Sequence, residues 1–231
     1  MPAATSKSVY WQGVRAGGPF ILVVVPFSLL FGVAATEAGL TLAQAMGFSV
    51  LVIAGGSQFA ALQMMVDQAG IALVLLAALA VNLRMAMYSA SLAPYLGTAP
   101  LWQRAVVAYT LFDQTYLASI TAYDAQPAMS IRDRFDYFMG VATPITPVWC
   151  AMTAVGALAG TAIPPAAALD FALPITFLAM VAPMLRSLPH LAAAGTSAVV
   201  ALVLNGLPAG TGLLIASACA MAVGVLVEKR T

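Results

Sequence analysis

Charged side chains are scarce in this sequence. Of its 231 residues only 7% are Asp, Glu, Lys or Arg, whereas 62% are hydrophobic. A water-soluble domain carries about 25% charged residues, because its surface faces water. The shortage excludes a soluble globular fold and predicts that a lipid bilayer covers the surface. The net charge of +1 gives no electrostatic reason for a nucleic acid partner, and we expect none.

Histidine and cysteine are scarcer still. His190 is the only histidine, and Cys150 and Cys219 lie in apolar runs without a CxxC pattern or a Cys/His neighbour. This predicts no disulfide, no metal site and no cofactor. A serine hydrolase needs a base close to its nucleophile, but we expect His190 in a cytoplasmic loop and Ser57 inside the membrane. Since HExxH and phosphate-binding glycine motifs are also lacking, we expect that the protein is not an enzyme.

Long apolar runs fill the chain. A transmembrane helix needs roughly 20 mostly apolar residues. On that criterion the sequence predicts an all-α polytopic membrane protein, a single transmembrane domain over residues 1–231 with about eight spanning helices. The predicted spans are residues 17–36, 41–66, 69–92, 103–123, 135–159, 166–185, 188–207 and 209–227.

The distribution of basic residues predicts the orientation, because cytoplasmic loops are enriched in Lys and Arg. With eight spans, seven of the nine basic residues fall on one side, and this side is expected to be cytoplasmic together with both termini. These are Lys7, Arg15, Arg132, Arg134, Arg186, Lys229 and Arg230. Arg104 is the exception at the outer end, and Arg84 lies inside a span.

Two sequence matches suggest an internal repeat. Pro26 precedes Gly39 by the same thirteen residues that separate Pro147 from Gly160, and residues 79–82 resemble residues 202–205. The repeat halves would cover about 14–123 and 135–228. Eight spans would make the halves parallel, and loss of the 103–123 span would make them inverted. Chance similarity between apolar segments is the alternative.

The second apolar run contains Gly55, Gly56, Ser57, Gln58 and Phe59 in succession. A straight helix over residues 41–66 would extend about 39 Å, more than the roughly 30 Å of the hydrocarbon core. Two adjacent glycines weaken a helix, and Ser57 is a suitable N-cap for a new one. A break would direct free N–H groups into the protein, where they suit a carboxylate. The alternative is a tilted continuous helix. Further kinks are expected within other spans, at Pro26, Pro144, Pro147, Pro174 and Pro183.

Two ionisable residues, Arg84 and Asp113, stand out because they lie well inside predicted spans. Each costs about 2.5–3.5 kcal/mol to insert at the centre of a membrane helix, so such residues are functional candidates. We interpret Asp113 as a site for a proton or a substrate amine, with Arg84 as its partner. A structural ion pair, or an Arg84 that extends to the headgroups, is the alternative. Tyr88 and Ser91 share the helix face of Arg84, Tyr109 and Tyr116 share that of Asp113, and Gln114 follows Asp113 directly.

Five motifs in order resemble the AzlC-type branched-chain amino acid permeases. They are G-x-x-x-G-G-P-F…P-F…F-G (residues 13–32), GGSQF (55–59), NLRMAMYSASLAP (82–94), TLFDQ (110–114) and LDFALPITFL (169–178). The resemblance extends from about residue 10 to the C-terminus. Two positions depart from the family pattern, which often has an acidic residue at Gln114 and His at Met85. These departures place proton coupling through those two positions in doubt.

The resemblance implies a secondary transporter that exports valine, leucine, isoleucine and methionine across the bacterial cytoplasmic membrane, driven by the proton gradient. It also implies a second, small membrane subunit of the AzlD type. We therefore predict a midplane site for a hydrophobic amino acid. The predicted substrate-binding residues are Pro26, Gly55, Gly56, Ser57, Gln58, Phe59, Asn82 and Asn205, and the intramembrane coupling residues are Arg84, Tyr88, Asp113 and Gln114. A passive channel, or a membrane subunit with no site of its own, remains an alternative.

Overall fold

The structure is a computed structural model, and it describes residues 6–160, 185, 187–204, 206–207 and 211–229. Several sequence predictions fall outside these residues. They are the span over 166–185, the kinks at Pro174 and Pro183, the fifth motif, the positions of Arg186 and Arg230, and the site residue Asn205.

The described residues form helices and no strands, which confirms the all-α prediction. The helices are α1 (Ser6–Gly17), α2 (Ile21–Glu37), α3 (Leu42–Leu51), α4 (Gly55–Val66), α5 (Ile71–Leu96), α6 (Leu101–Tyr109), α7 (Asp113–Ala125), α8 (Ile131–Gly160), α9 (Leu188–Val203) and α10 (Thr211–Glu228). A 3₁₀ turn over Gly18–Phe20 joins α1 to α2.

Three segments in the described part are long and apolar enough to cross a bilayer. They are Ser8–Glu37, which contains α2, Ile71–Leu96 and Ile131–Gly160. These segments coincide with the predicted spans over 17–36, 69–92 and 135–159. The helical hydrogen-bond pattern of α2 continues past Pro26, and that of α8 continues past Pro144 and Pro147.

The chain divides into two compact units. Unit 1 comprises Met1–Gln58 and Val81–Ile163, and unit 2 comprises Phe59–Ala80 and Pro164–Thr231. Within unit 2, α9 and α10 pack as an antiparallel pair. Gly224 near the end of α10 lies against Ala193 near the start of α9, and Gly212 lies against Leu204 beyond the end of α9.

The core of unit 1 is a parallel helix pair. A Cβ atom built on Gly13 of α1 would lie 3.0 Å from the Cα of Gly140 in α8, and one built on Gly156 would lie 2.0 Å from the carbonyl oxygen of Leu29. Both contacts join residues that are 127 positions apart, so α1 and α2 run in the same direction as α8. Small residues allow this approach of two backbones, which is the usual means of tight helix association in membranes.

The seam between α2 and α8 gives a first prediction, for Gly32. A Cβ there would lie 2.2 Å from the Thr153 carbonyl oxygen, so the two backbones would have to separate. We expect Gly32→Ala to destabilise the protein by about 1–3 kcal/mol, measured as a lower midpoint of thermal unfolding in detergent. Gly47→Ala is the matched control, because nothing lies within 4 Å of a Cβ at Gly47. Equal midpoints for the two variants would show that the seam does not limit stability.

The predicted span over residues 41–66 is interrupted, as the glycine pair suggested. The helix stops at Leu51, residues 52–54 are not helical, and α4 begins at Gly55. The break precedes the glycines, and Ile53 adopts a φ of 39°, a left-handed conformation that β-branched residues rarely take. The prediction that Ser57 caps the new helix is wrong. Ser57 lies within α4, and its hydroxyl donates to the Ala54 carbonyl at 2.9 Å.

The predicted span over residues 103–123 is also interrupted, which the sequence did not indicate. Residues 110–112 separate α6 from α7. At the start of α6, Arg104 donates to the carbonyl of Gly97, just beyond the end of α5. At the start of α7, Asp113 accepts a hydrogen bond from Tyr88 in the middle of α5, and further along Asp124 accepts one from Tyr95.

These contacts show that α6 runs back along α5 and that α7 returns in the direction of α5. The segment therefore forms a helical hairpin that enters and leaves at the same end of unit 1, and it does not cross as a single helix. Irregular backbone at membrane depth is tolerated when protein covers it. Residues 110–112 meet this condition, because all three are buried.

The hairpin places Arg104 at the end of unit 1 where α8 begins. Arg134, in the first turn of α8, donates to the backbone carbonyl of Tyr95 at 3.2 Å and to that of Pro127 at 2.9 Å. Its guanidinium also lies over the rings of Tyr95 and Tyr123, 5.2 and 5.9 Å from their centroids. We call this end, which carries Arg104, Arg132 and Arg134, the basic end.

The hairpin gives a second prediction, testable by cysteine labelling after Cys150 and Cys219 are replaced; both are free thiols. Thr98→Cys before α6 and Gln126→Cys after α7 should react with a membrane-impermeant maleimide from the same side. Ala38→Cys, beyond the end of α2, is the control and should react from the opposite side. Labelling of positions 98 and 126 from opposite sides would contradict the hairpin.

Candidate functional site

The two helix breaks of unit 1 lie next to each other. Tyr109, the last residue of α6, donates its hydroxyl hydrogen to the carbonyl of Val50 near the end of α3 at 2.6 Å. This contact brings together two pairs of half-helices. The first residues of a helix have N–H groups without intrahelical partners, so two half-helix N-termini, at Gly55 and at Asp113, become available inside the protein.

Arg84 in the middle of α5 connects these two N-termini. Its Nη1 lies 3.0 Å from Oδ2 of Asp113, and its Nη2 would lie 3.3 Å from a Cβ built on Gly56. The ion pair suggested by the sequence therefore forms. The Arg84 and Asp113 side chains are 32% and 42% exposed, so both can be reached from outside the protein.

The charges at the two N-termini differ. Asp113 is the first residue of α7, and its negative charge compensates the partial positive charge of that helix end. The first turn of α4 contains no acidic residue. Because Arg84 and Asp113 neutralise each other, the uncompensated charge at the site is the positive end of α4, next to the Arg84 guanidinium. This arrangement favours an anionic group such as a carboxylate.

Aromatic side chains extend the ion pair toward the basic end. The Tyr88 hydroxyl donates to Oδ1 of Asp113 at 2.9 Å. Its ring stacks on that of Tyr116 in α7, with centroids 4.1 Å apart, and the Tyr116 hydroxyl lies 3.0 Å from that of Ser91. Gln114 follows Asp113 in α7 and is half-buried.

Gln58 belongs to a second, fully buried polar cluster. Its Nε2 donates to the hydroxyl of Ser49 at 3.3 Å, and the Ser49 hydroxyl lies 2.9 Å from that of Thr153. All three side chains are 0% exposed. Gln58 Oε1 has no hydrogen-bond partner among the described residues. A buried amide oxygen without a donor costs about 1–3 kcal/mol. Because this oxygen can only accept hydrogen bonds, it suits an ammonium group better than a carboxylate.

Two aromatic rings border the start of α4. A Cβ at Gly55 would lie 2.1 Å from the Phe27 ring and 2.7 Å from that of Trp149, and the ring centroids of these residues are 5.7 Å apart. The Trp149 indole nitrogen is buried and has no hydrogen-bond partner within the described part of the chain. Pro26 faces outward, so Phe27 is the α2 residue that lies at this position.

The remaining predicted residues have different placements. Asn82 is half-buried on α5, and its Oδ1 lacks a hydrogen-bond partner in the region that the structure describes. Phe59 is buried on α4, directly after Gln58. Sequence reasoning missed Ser49, Thr153, Phe27 and Trp149. A polar residue in an apolar run was the available signal for Ser49 and Thr153.

Comparisons with known proteins identify similar membrane proteins. The sequence model of the family described as AzlC protein matches residues 19–163, which include both helix breaks, Arg84 and Asp113. An uncharacterized membrane protein of Archaeoglobus fulgidus is 27% identical over 224 residues, covering 95% of each chain. Inner membrane protein YgaZ of Escherichia coli is 25% identical over 181 residues, which are 76% of this chain and 73% of that protein. No solved structure matches the chain. This polytopic helical membrane protein belongs to the AzlC family.

Proposed function

We propose that the protein is a secondary transporter that exports branched-chain amino acids, valine, leucine and isoleucine, together with methionine, in exchange for protons. The observation that carries this proposal is the position of Arg84 between two half-helix N-termini, paired with an intramembrane carboxylate. Discontinuous helices at membrane depth are the usual means by which secondary transporters bind small charged solutes.

The site has complementary groups for a zwitterion. The substrate carboxylate would bind the free N–H groups of Gly55 and Gly56 and the Nη2 of Arg84. The ammonium group would bind Asp113, and Gln58 Oε1 in the neighbouring turn of α4 would remain an acceptor of the separate buried cluster, unpaired among the described residues. The apolar rings of Phe27 and Trp149 line the start of α4 and would contact an aliphatic side chain, with Asn82 supplying a further polar contact.

The same carboxylate would couple transport to protons. Ionised Asp113 attracts an ammonium group, whereas protonated Asp113 has no negative charge to offer. Substrate and proton therefore compete for one site, and this competition is what exchange in opposite directions requires. Gln114 cannot ionise, so in this chain the competition would depend on Asp113 alone.

The basic end indicates the orientation. Arg104, which would be an outer residue in a model of eight simple crossings, lies with Arg132 and Arg134 because α6 and α7 form a hairpin. We infer that the basic end is cytoplasmic, since basic residues concentrate there. The N-terminus would then be cytoplasmic in the bacterial inner membrane, and Lys229 and Arg230 favour the same side for the C-terminus.

Uptake of labelled leucine, valine, isoleucine and methionine into everted vesicles tests the proposal. We expect accumulation against a gradient only when a proton gradient is imposed, and we also propose that an AzlD-type small subunit increases it when co-expressed. Equilibration without accumulation would indicate a passive channel. No leucine binding by the purified chain, with or without that subunit, would indicate a subunit that lacks a site.

A further inference from the structure

A line of hydroxyl groups leads from Asp113 to the basic end of unit 1. On α5, Tyr88, Ser91 and Tyr95 follow at spacings of three and four residues, so they share one face. Each is hydrogen-bonded to a residue of α7. Tyr88 donates to Asp113 at 2.9 Å, Ser91 lies 3.0 Å from the Tyr116 hydroxyl, and Tyr95 donates to Asp124. We call these three pairs the hydroxyl ladder.

The ladder runs from the Arg84–Asp113 ion pair toward the basic end. Asp113 at its inner end forms the ion pair with Arg84, whereas Asp124 at its outer end is exposed. The α5 members of the ladder are half-exposed along its length. A single water molecule between successive pairs would bridge them almost as well as a direct hydrogen bond.

We propose that the hydroxyl ladder carries the coupling proton between Asp113 and the basic end. This inference rests on the proposed function, and it adds the path and the side from which the proton leaves. One proton leaves the Asp113 carboxyl group and one emerges at Asp124. Each hydroxyl on the path, and each bridging water, accepts one proton and releases one, so that all of them are unchanged after the transfer.

A direct hydrogen bond between helices would also hold α7 against α5, so the test has to separate proton transfer from structural support. Exchange of labelled for unlabelled leucine across a proteoliposome membrane needs the substrate site and its movement, but no net proton transfer. Accumulation of leucine driven by a proton gradient needs both. The ladder therefore predicts that loss of hydroxyls affects accumulation and spares exchange.

The variants are Ser91→Ala and Tyr116→Phe, alone and combined, in the full-length protein. We expect the combined variant to lose about tenfold or more in the rate of gradient-driven leucine accumulation, because the middle pair of the ladder is removed. The rate of leucine exchange should stay within about twofold of the wild-type rate. Ser91→Thr keeps a hydroxyl group at this position, so this variant should accumulate leucine at the wild-type rate, unlike Ser91→Ala. Ser89→Ala is the control, since Ser89 is exposed on another face of α5.

Two results would overturn the ladder. Unchanged accumulation in the combined variant would show that the proton takes another route. A parallel loss of exchange and accumulation would show that the hydroxyls support the structure only. The wild-type protein is measured first. If it exchanges leucine but does not accumulate it when a proton gradient is imposed, the proposed proton coupling itself is contradicted.

Discussion

Asp113→Asn is expected to lower proton-driven leucine export by roughly a hundredfold, equivalent to about 2.7 kcal/mol. The substitution keeps the size of the side chain but removes its negative charge and its ability to take up a proton. It also leaves Arg84 without its ionic partner. Export from vesicles with equal amounts of protein measures the effect.

Asp67→Asn is the matched control, because Asp67 is exposed and is bonded only to Gln63 among the contacts that the structure gives. Export by this variant should equal that of the wild type. Replacing both members of the intramembrane pair, as Arg84→Met with Asp113→Leu, leaves no unpaired charge. This double variant should therefore be as stable as the wild type but should not export leucine. Full export by Asp113→Asn would exclude this carboxylate from both ammonium binding and proton coupling.

Gly56→Leu is expected to abolish leucine binding, with an affinity lower by about a hundredfold or more, or about 2.7 kcal/mol. Even a Cβ at this position would lie 3.3 Å from Nη2 of Arg84 and 3.4 Å from the Val81 side chain. A leucine side chain would therefore occupy the space between the start of α4 and the guanidinium, where the substrate carboxylate is proposed to bind. Isothermal titration of the purified chain with leucine measures the loss.

Gly47→Leu provides the comparison, because Gly47 belongs to the preceding half-helix and has no atoms near its Cβ position. This variant should bind leucine with unchanged affinity. If Gly56→Leu bound leucine as the wild type does, the start of α4 would not be the carboxylate site. The helix break would then serve packing alone.

The interrupted second span could be predicted only in part from the sequence. The excess length of the apolar run and the glycine pair indicated a break, but the non-helical residues are 52–54. The left-handed Ile53 has no local sequence signal. Tertiary contacts fix this position: Gly55 has to fit against Phe27 and Trp149, and Ser49 has to reach Thr153, 104 residues away.

The second break could not be predicted because residues 110–112 contain neither glycine nor proline. Hydrogen bonds of the Thr115 side chain stabilise this break instead. Its hydroxyl donates to the carbonyls of Thr110 and Phe112 at 2.9 Å and accepts from the N–H of Phe112 at 3.0 Å. By contrast, Arg84 and Asp113 could be identified from the sequence alone. A charge inside an apolar run costs free energy of insertion wherever the helices lie.

The α6–α7 hairpin has a consequence for how the protein is assembled in the membrane. The long apolar segments that contain α2, α5 and α8 can each partition from the translocon into lipid by hydrophobicity alone. The hairpin consists of two short helices joined by a non-helical tip, and such a tip is stable at membrane depth only where protein covers it. Its α7 is bonded to hydroxyls of α5 and to the first turn of α8, so we expect it to be stably inserted only after both have been synthesised. Destabilising α8 should therefore expose α6 and α7 to membrane quality-control proteases before any other part of unit 1.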